Sequence, residues 1–254
     1  MDCVILAAGE GTRMKSACPK VLHELGGTSM IQHLLDAINP LELSRITLVV
    51  GYKEGWVREE LSDRDVGFVT QEEQLGTGHA LKQAREQIKS DKVLVLPGDI
   101  PLLKRSSLEN FLKQSRKNDE GFSLLSVDRE DPSGYGRIVR RDGGGVSRVV
   151  EEKDATEKER SIKEINTGIY LFNNTHLLWE GLEGLENDNA QGEFYLTDLV
   201  EYYIGSGKQV MAVKVDGSEQ FLGVNTRADL AEASRILQNR RQSSSDEGRS
   251  SANS

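Results

Sequence analysis

The 254-residue sequence predicts an α/β protein built on a mostly parallel sheet flanked by helices. Three observations carry that expectation. Short runs are apolar at every position, as in Cys3-Val4-Ile5-Leu6-Ala7, which is the pattern of strands buried on both faces. Between them lie segments whose apolar residues recur three and four apart, the period of an amphipathic helix. The two kinds alternate through the first half of the chain, and a strand–helix–strand crossover joins parallel neighbours.

The chain opens on a strand over 3–7, and a Gly-rich loop follows at Gly9 and Gly11. Residues 29–38 read as a helix: Ser29 is a candidate cap, and Ile31, Leu34, Leu35 and Ile38 share one face. Strands over 46–50, 66–70 and 93–96 alternate with helices over 54–61 and 77–88. A helix over 106–117 and a strand over 122–127 follow. The second half changes character. Segments 136–141 and 146–151 flank Asp142-Gly143-Gly144-Gly145, the composition of a hairpin turn. A strand is expected over 165–172, helices over 177–185, 195–204 and 228–241, and a strand over 210–215. From Gln242 the chain is Ser-rich with almost nothing to bury, so 242–254 are expected to be disordered. The domain reading is one continuous α/β unit over 1–227, a linker-like helix over 228–241 and the tail. There is no internal repeat, and in particular no run of hexapeptides of the left-handed β-helix type.

Lys and Arg number 32 against 41 Asp and Glu, a net charge of −9. An acidic chain argues against broad nucleic-acid binding, which needs cations to displace phosphate counterions. It leaves room for a small anionic ligand held by a few local cations. No segment reaches ~18 consecutive apolar residues, the length of a membrane span, and no basic stretch precedes an apolar one as in a secretory signal. Of two cysteines, Cys3 sits in an apolar run and Cys18 in a polar loop, where it is expected to be exposed. Neither suggests a disulfide framework. The protein is expected to be soluble and cytoplasmic, with no membrane or nucleic-acid partner.

Five constellations carry chemistry. Leu6-Ala7-Ala8-Gly9-Glu10-Gly11-Thr12-Arg13-Met14, then Pro19-Lys20, stands at the C-terminal end of the first strand, where doubly wound folds bind ligands. Met14 stands where a dinucleotide fingerprint requires a third glycine, and no Gly-Lys-Ser/Thr closes a Walker loop. Gly9 and Gly11 let the backbone approach a ligand and offer N–H groups to phosphate, while Arg13 and Lys20 bring two cations to a triphosphate. Gln71 precedes Gln74-Leu75-Gly76-Thr77-Gly78-His79-Ala80, with Gly76 and Thr77 at a helix start. A Gln amide can both donate and accept a hydrogen bond. His79 lies inside the helix and is expected to pack or bond locally, not to catalyse. Leu96-Pro97-Gly98-Asp99 puts a carboxylate directly after a buried strand, a natural Mg²⁺ ligand beside phosphates. Gly134-Tyr135-Gly136-Arg137, Glu151 beside Glu152, and Asn166-Thr167-Gly168 form the fourth set; Gly223-Val224-Asn225-Thr226 is the fifth, with Asn225 also a candidate helix cap.

Together these motifs resemble the sugar-1-phosphate nucleotidyltransferases. Pro19-Lys20-Val21-Leu22-His23-Glu24-Leu25-Gly26-Gly27, followed by Met30-Ile31-Gln32-His33, narrows the resemblance. It points to the uridylyltransferase domain of the bacterial bifunctional N-acetylglucosamine-1-phosphate uridylyltransferase/glucosamine-1-phosphate acetyltransferases, and it extends over 3–235. The resemblance implies a Rossmann-like, mixed and mostly parallel sheet of the nucleotide-diphospho-sugar transferase type. It implies transfer of UMP from UTP to N-acetylglucosamine 1-phosphate, with Mg²⁺ as cofactor, in the biosynthesis of UDP-N-acetylglucosamine for peptidoglycan and lipopolysaccharide. On it, Arg13, Lys20 and Asp99 are catalytic, and Asp99 and Asn225 hold the metal. Leu6, Ala7, Ala8, Gly9, Gly11, Lys20, Gly98 and Asn225 contact substrate. Gln71, Gly76 and Thr77 hold the uracil; Gly136 meets the acetamido group; Glu151 and Asn166 bond sugar hydroxyls. Asn189 to Asp198 also resembles the family and is assigned to structure. Glu10 departs from a loop position that is often basic. Other expectations are no acetyltransferase activity from this chain and a monomer or weak oligomer. A sister enzyme with another base or sugar, and a sugar-nucleotide-binding module without turnover, are the alternatives.

Overall fold

The computed structural model describes residues 1–251, with side chains as far as Gln242. Its first half contains β1 (Asp2–Leu6), β2 (Glu24–Leu25), β3 (Thr28–Ser29), α1 (Met30–Ile38), β4 (Arg45–Val50), α2 (Glu54–Glu60), β5 (Gly67–Thr70), α3 (Thr77–Gln83), β6 (Lys92–Pro97) and α4 (Arg105–Ser115). The second half adds β7 (Phe122–Asp128), β8 (Arg137–Arg140), β9 (Val146–Val150), α5 (Glu157–Arg160), β10 (Glu164–Asn173), α6 (His176–Glu183), α7 (Leu199–Gly205), β11 (Val210–Val215) and α8 (Arg227–Ser251).

Among the described residues, nine strands form one sheet whose main path runs β11-β7-β10-β6-β1-β4-β5. β1 pairs in parallel with β4 and β6, β4 with β5, and β7 with β11. β10 is antiparallel to both β6 and β7, and the β8–β9 hairpin branches from it. The mixed, mostly parallel sheet is thus the expected one. The continuous apolar runs have a simple cause here. Cys3 and Ile5 enter one core with Leu34, Leu94 and Phe111 on one side of the sheet. Val4 enters another with Val49, Val95 and Phe122 on the opposite side. A third, small cluster of Leu25, Met30, Leu102, Leu222, Val224 and Ala233 seats the start of α8.

Several boundaries differ from expectation, each for a local reason. Ser29 occupies the cap position of α1, yet its hydroxyl makes no cap bond and is buried without a partner. The helix entry is held by the backbone instead: β2 and β3 form a two-residue hairpin across Gly26 and Gly27, with φ of 58° and 84°, and the Met30 N–H donates to the His23 carbonyl. The helix expected over 77–88 stops at Gln83 and continues only as a 3-10 turn, Arg85–Gln87. That expected over 195–204 begins as a 3-10 turn, Leu196–Asp198, before α7. α5 was not foreseen; a reciprocal Thr156–Glu159 capping box makes it, satisfying two end donors at once. The last helix runs to Ser251, past the expected end at 241, because helical hydrogen bonds are internal and need no burial. The side chains of the Ser-rich tail, and residues 252–254, lie outside the described residues. Cys3 is buried as expected; Cys18 is half-buried rather than exposed, its loop folding back so that the thiol faces the Pro19 carbonyl. Among the described residues no helix is long and apolar enough to cross a membrane.

Asp2 shows how the sheet's first residue is fixed. Its buried carboxylate accepts from the Lys89 N–H at 2.6 Å, the Ser90 N–H at 2.8 Å and the Ser90 hydroxyl at 2.9 Å. Burial alone would raise its pKa, but these donors outweigh burial and lower it. A lowered native pKa stabilises the fold above the unfolded value of about 4 and loses that contribution as pH falls below it. Asp2→Asn should therefore cost about 1.5–3 kcal/mol at pH 7. In urea melts the gap to wild type should narrow below about pH 4.

Candidate active site

The site forms where β1, β4 and β6 end. After β1 the chain turns twice through left-handed backbone, at Gly11 (φ 67°) and Lys15 (φ 49°). Gly11 is required sterically, because a Cβ there would lie 2.7 Å from Lys20 Cβ. Two side chains pin the loop. Arg227 donates to the Met14 and Lys15 carbonyls at 3.2 Å each, and Lys53 Nζ to the Ala17 carbonyl at 2.7 Å.

Lys20 is the hub. Its Nζ lies 2.5 Å from Asp99 Oδ2 and 3.1 Å from Asn225 Oδ1. Arg13 Nη2 reaches the same Asn225 oxygen at 3.0 Å. The backbone sets this meeting up: the Gly98 N–H donates to the Leu6 carbonyl and the Val224 N–H to the Asp99 carbonyl, both at 2.9 Å. Asn225 is not the cap of α8. Thr226 Oγ1 accepts from the Asp229 N–H at 3.2 Å, and Asp229 Oδ2 accepts from the N–H groups of Thr226 and Asn225 at 2.8 and 2.9 Å. That reciprocal cap leaves the Asn225 amide oxygen turned toward the two cations.

Gln71 is 2 % exposed and bonds the Gly76 carbonyl and His79. Gly76 (φ 107°) admits no side chain, since a Cβ would stand 2.7 Å from the Phe194 carbonyl. Thr77 Oγ1 accepts from the Leu196 N–H at 3.0 Å, so its hydroxyl serves the fold. His79 packs locally, as expected, with Gln71 on one ring nitrogen and Gln83 on the other.

The fourth set gathers around an irregularity in β10. Its register with β7 shifts between Asn166 and Tyr170, and Gly168 takes φ 78°. Such a bulge re-aims side chains. Asn166 donates its Nδ2 to the Tyr170 hydroxyl at 2.6 Å, and its N–H to the Gly136 carbonyl at 2.8 Å. Glu151 Oε1 accepts from the Thr197 hydroxyl at 3.1 Å. Burial pushes the Glu151 carboxyl above its ordinary range; the Thr197 bond opposes this, and Asp198, Asp154 and Glu193 nearby add to it. Glu152 is taken up elsewhere, by Arg137 at 2.7 Å and the Gly134 N–H at 3.1 Å.

One cavity of about 390 Å³ brings these residues together. Leu6, Ala7, Ala8, Gly9, Lys20, Gln71, Gly76, Thr77, Asp99, Gly136, Glu151, Asn166 and Asn225 all line it. Gly11, Arg13 and Gly98 do not: Gly11 backs Lys20, Arg13 reaches in through Asn225, and Gly98 packs against Leu6 and Ala7. Glu10 is exposed outside it. The cavity also takes Glu193, Leu196 and Thr197 from the segment assigned to structure, and Tyr135 and Tyr170. Tyr135 stood within a quoted motif, and Thr197 carried no spacing signal of its own. Asp99 and Asn225 offer one carboxylate and one neutral carbonyl oxygen, a set that suits Mg²⁺, which retains waters and substrate phosphates as its remaining ligands. That both oxygens already converge on the Lys20 ammonium shows that they face a positive charge. Among the described residues no group of three or more His, Cys, Asp or Glu could hold a metal by itself.

Cations, a carboxylate and a cavity together at the C-terminal edge of a parallel sheet occupy the place where α/β folds bind ligands. The MobA-like NTP transferase domain family matches residues 3–165, and the chain belongs to that family of nucleotidyltransferases. It is 46% identical over 239 residues to the "Bifunctional protein GlmU" of Listeria monocytogenes serotype 4b (strain CLIP80459), covering 93% of this chain and 52% of that protein. It is 45% identical over 245 residues to the protein of the same name from Acetivibrio thermocellus, covering 94% and 53%. The chain thus spans about half the length of the curated relatives it matches. Among solved structures, a Bacillus anthracis chain assigned as a glucose-1-phosphate thymidylyltransferase, in complex with sucrose, superposes with a TM-score of 0.73 at 23% identity, covering 93% of this chain and 94% of that one. HddC from Yersinia pseudotuberculosis, complexed with GMP-PN, gives 0.68 at 22% identity, covering 93% and 99%. At these identities the likeness is one of fold.

Two outcomes are expected. Lys20→Met removes the cation between Asp99 and Asn225; nucleotide turnover should fall by roughly a hundredfold or more, while the circular-dichroism melt keeps its native shape. Burial, with Glu201 and Asp154 nearby, pushes Asp198 up to about 6. A raised native pKa makes ionisation unfavourable in the fold, so the associated stability is full below the unfolded value and lost as pH rises through about 6. Asp198→Asn should stabilise by about 1 kcal/mol at pH 8, after allowance for partial solvent screening. In paired thermal melts the gain should fade toward pH 4.

Proposed function

We propose that this chain transfers UMP from UTP to N-acetylglucosamine 1-phosphate, giving UDP-N-acetylglucosamine and pyrophosphate. The observation that carries the reading is the convergence of Lys20, Asp99 and Asn225 in the same cavity as Gln71, Gly136, Glu151 and Asn166. The 45–46% identity to the GlmU proteins supports it. A phosphate oxygen of the sugar phosphate attacks the α-phosphorus of UTP in line. A P–O bond forms there, the bond to the β-phosphate oxygen breaks, and pyrophosphate leaves with the electron pair. The attacking phosphate is already anionic near neutral pH, so the reaction calls for no general base. The chain contributes position and charge: Lys20 and Arg13 meet the triphosphate, the Leu6–Gly9 backbone cradles it, and Gln71 takes the base. Glu151, Asn166 and the backbone at Gly136 take the sugar. Mg²⁺, held by Asp99 and Asn225, would neutralise charge on the bound phosphates.

The test is pyrophosphate release with Mg²⁺, UTP and N-acetylglucosamine 1-phosphate, run beside dTTP and glucose 1-phosphate. Rapid release with the first pair alone is expected. Release with another pair would move the chain to a sister reaction, and binding without release would make it a sugar-nucleotide-binding module. Asp99→Ala should cut release by roughly a thousandfold while leaving the fold intact; a fully active variant would refute the metal assignment.

A further inference from the structure

We propose that His79 fixes which way the Gln71 amide faces, and that the cavity thereby selects a base carrying a ring N–H, as in uracil or thymine, over cytosine. This rests on the uridylyl-transfer reading above. Gln71 Nε2 lies 3.2 Å from the Gly76 carbonyl and 2.9 Å from His79 Nδ1. The carbonyl can only accept, and it is a fixed part of the fold, since it also accepts from the Ala80 N–H at 3.0 Å. The NH₂ end of Gln71 must therefore point into this corner. Its second hydrogen then points at His79 Nδ1, which must be the unprotonated nitrogen. The proton sits on Nε2, where Gln83 Nε2 lies 3.0 Å away; the same Gln83 nitrogen lies 3.5 Å from the His79 carbonyl. Two N–H groups cannot face each other, so one glutamine amide must turn; Gln71 is held by the 3.2 Å Gly76 contact, whereas the Gln83 contact to the His79 carbonyl is long at 3.5 Å, so Gln83 turns its amide oxygen to accept that proton.

Both amide hydrogens of Gln71 are thus engaged. Its Oε1 has no partner among the described residues, and Gln71 lines the cavity. What the site presents to a base is an acceptor without a competing donor. Uracil and thymine meet it with N3–H. Cytosine brings a bare N3, and two acceptors repel. His79 touches no substrate in this account; it is a positioning residue, one bond behind Gln71. With an apolar side chain at 79, one amide hydrogen is freed, the Gly76 contact alone holds the orientation, and the rejection of cytosine weakens.

Two measurements test this. In long-range ¹⁵N–¹H correlation spectra of the intact chain, His79 should show the Nε2–H tautomer; an Nδ1–H tautomer would overturn the proposal. The second is calorimetric affinity for UTP and CTP with no sugar phosphate present. Wild type should prefer UTP, and His79→Leu should shrink that preference about tenfold to a hundredfold. His79→Asn, whose side-chain oxygen can accept where Nδ1 does, should keep most of it. An unchanged preference in His79→Leu, or none in wild type, sinks the idea. If His79→Leu does not fold, the tautomer and the Asn variant still decide. A protein that binds UTP selectively yet releases no pyrophosphate with any sugar phosphate would fail the uridylyl-transfer reading and leave this one standing.

Discussion

A single ammonium group holds the site together. Lys20 joins a carboxylate that follows β6 to an amide that precedes α8, and it does so from a loop that follows β1. The Lys20 and Asp99 side chains are only 16% and 17% exposed, so each would pay a desolvation cost alone. Paired, they meet that cost mutually. The same arrangement makes the loop geometry consequential. Gly11 gives Lys20 its room, and Arg227 and Lys53 hold the loop's carbonyls in place.

The other walls of the cavity depend on a change of strand direction. A wholly parallel sheet would leave the edge of β6 open to another crossover. Here β10 enters in reverse, interrupts its own register, and turns Asn166 and Gly168 toward the cavity. The β8–β9 hairpin hangs from the same strand and brings Gly136 and Glu151 beside them. Glu151 is costly to hold charged where it is, and among the described residues the Thr197 hydroxyl offsets that burial directly.

Much was legible in the residues. The doubly buried strands announced themselves because both faces of β1, β4 and β6 are packed, which makes consecutive positions along their middles apolar. Gly-rich loops at strand ends, and Asp99 directly after β6, marked the active edge because a parallel sheet presents its strand ends together. Less was legible where a contact depends on segments far apart in the chain. Thr197 bonds Glu151 from 46 positions away; its segment was assigned to structure, and no spacing ties it to Glu151. Ser29 had the right type and place for a cap, yet hairpin pairing buried its hydroxyl. Of the adjacent Glu151 and Glu152, the buried guanidinium of Arg137 takes Glu152, and Glu151 lines the cavity.

The sequence by itself determined the alternation of strands and helices, and with it the sheet and the edge that carries the site. Periodicity and glycine placement are local properties, written into consecutive residues. It also supplied the chemical types: two cations, one carboxylate, a glutamine amide. Only the tertiary structure decided which of these meet. It put Asn225 rather than Thr226 before the cations, set the Gln71 amide against Gly76 and His79, and brought Glu151 to Thr197 and Glu152 to Arg137. The reason is physical: a hydrogen bond is fixed to within a few tenths of an ångström by the packing of whole elements, and that packing is a property of the assembled core rather than of any one segment.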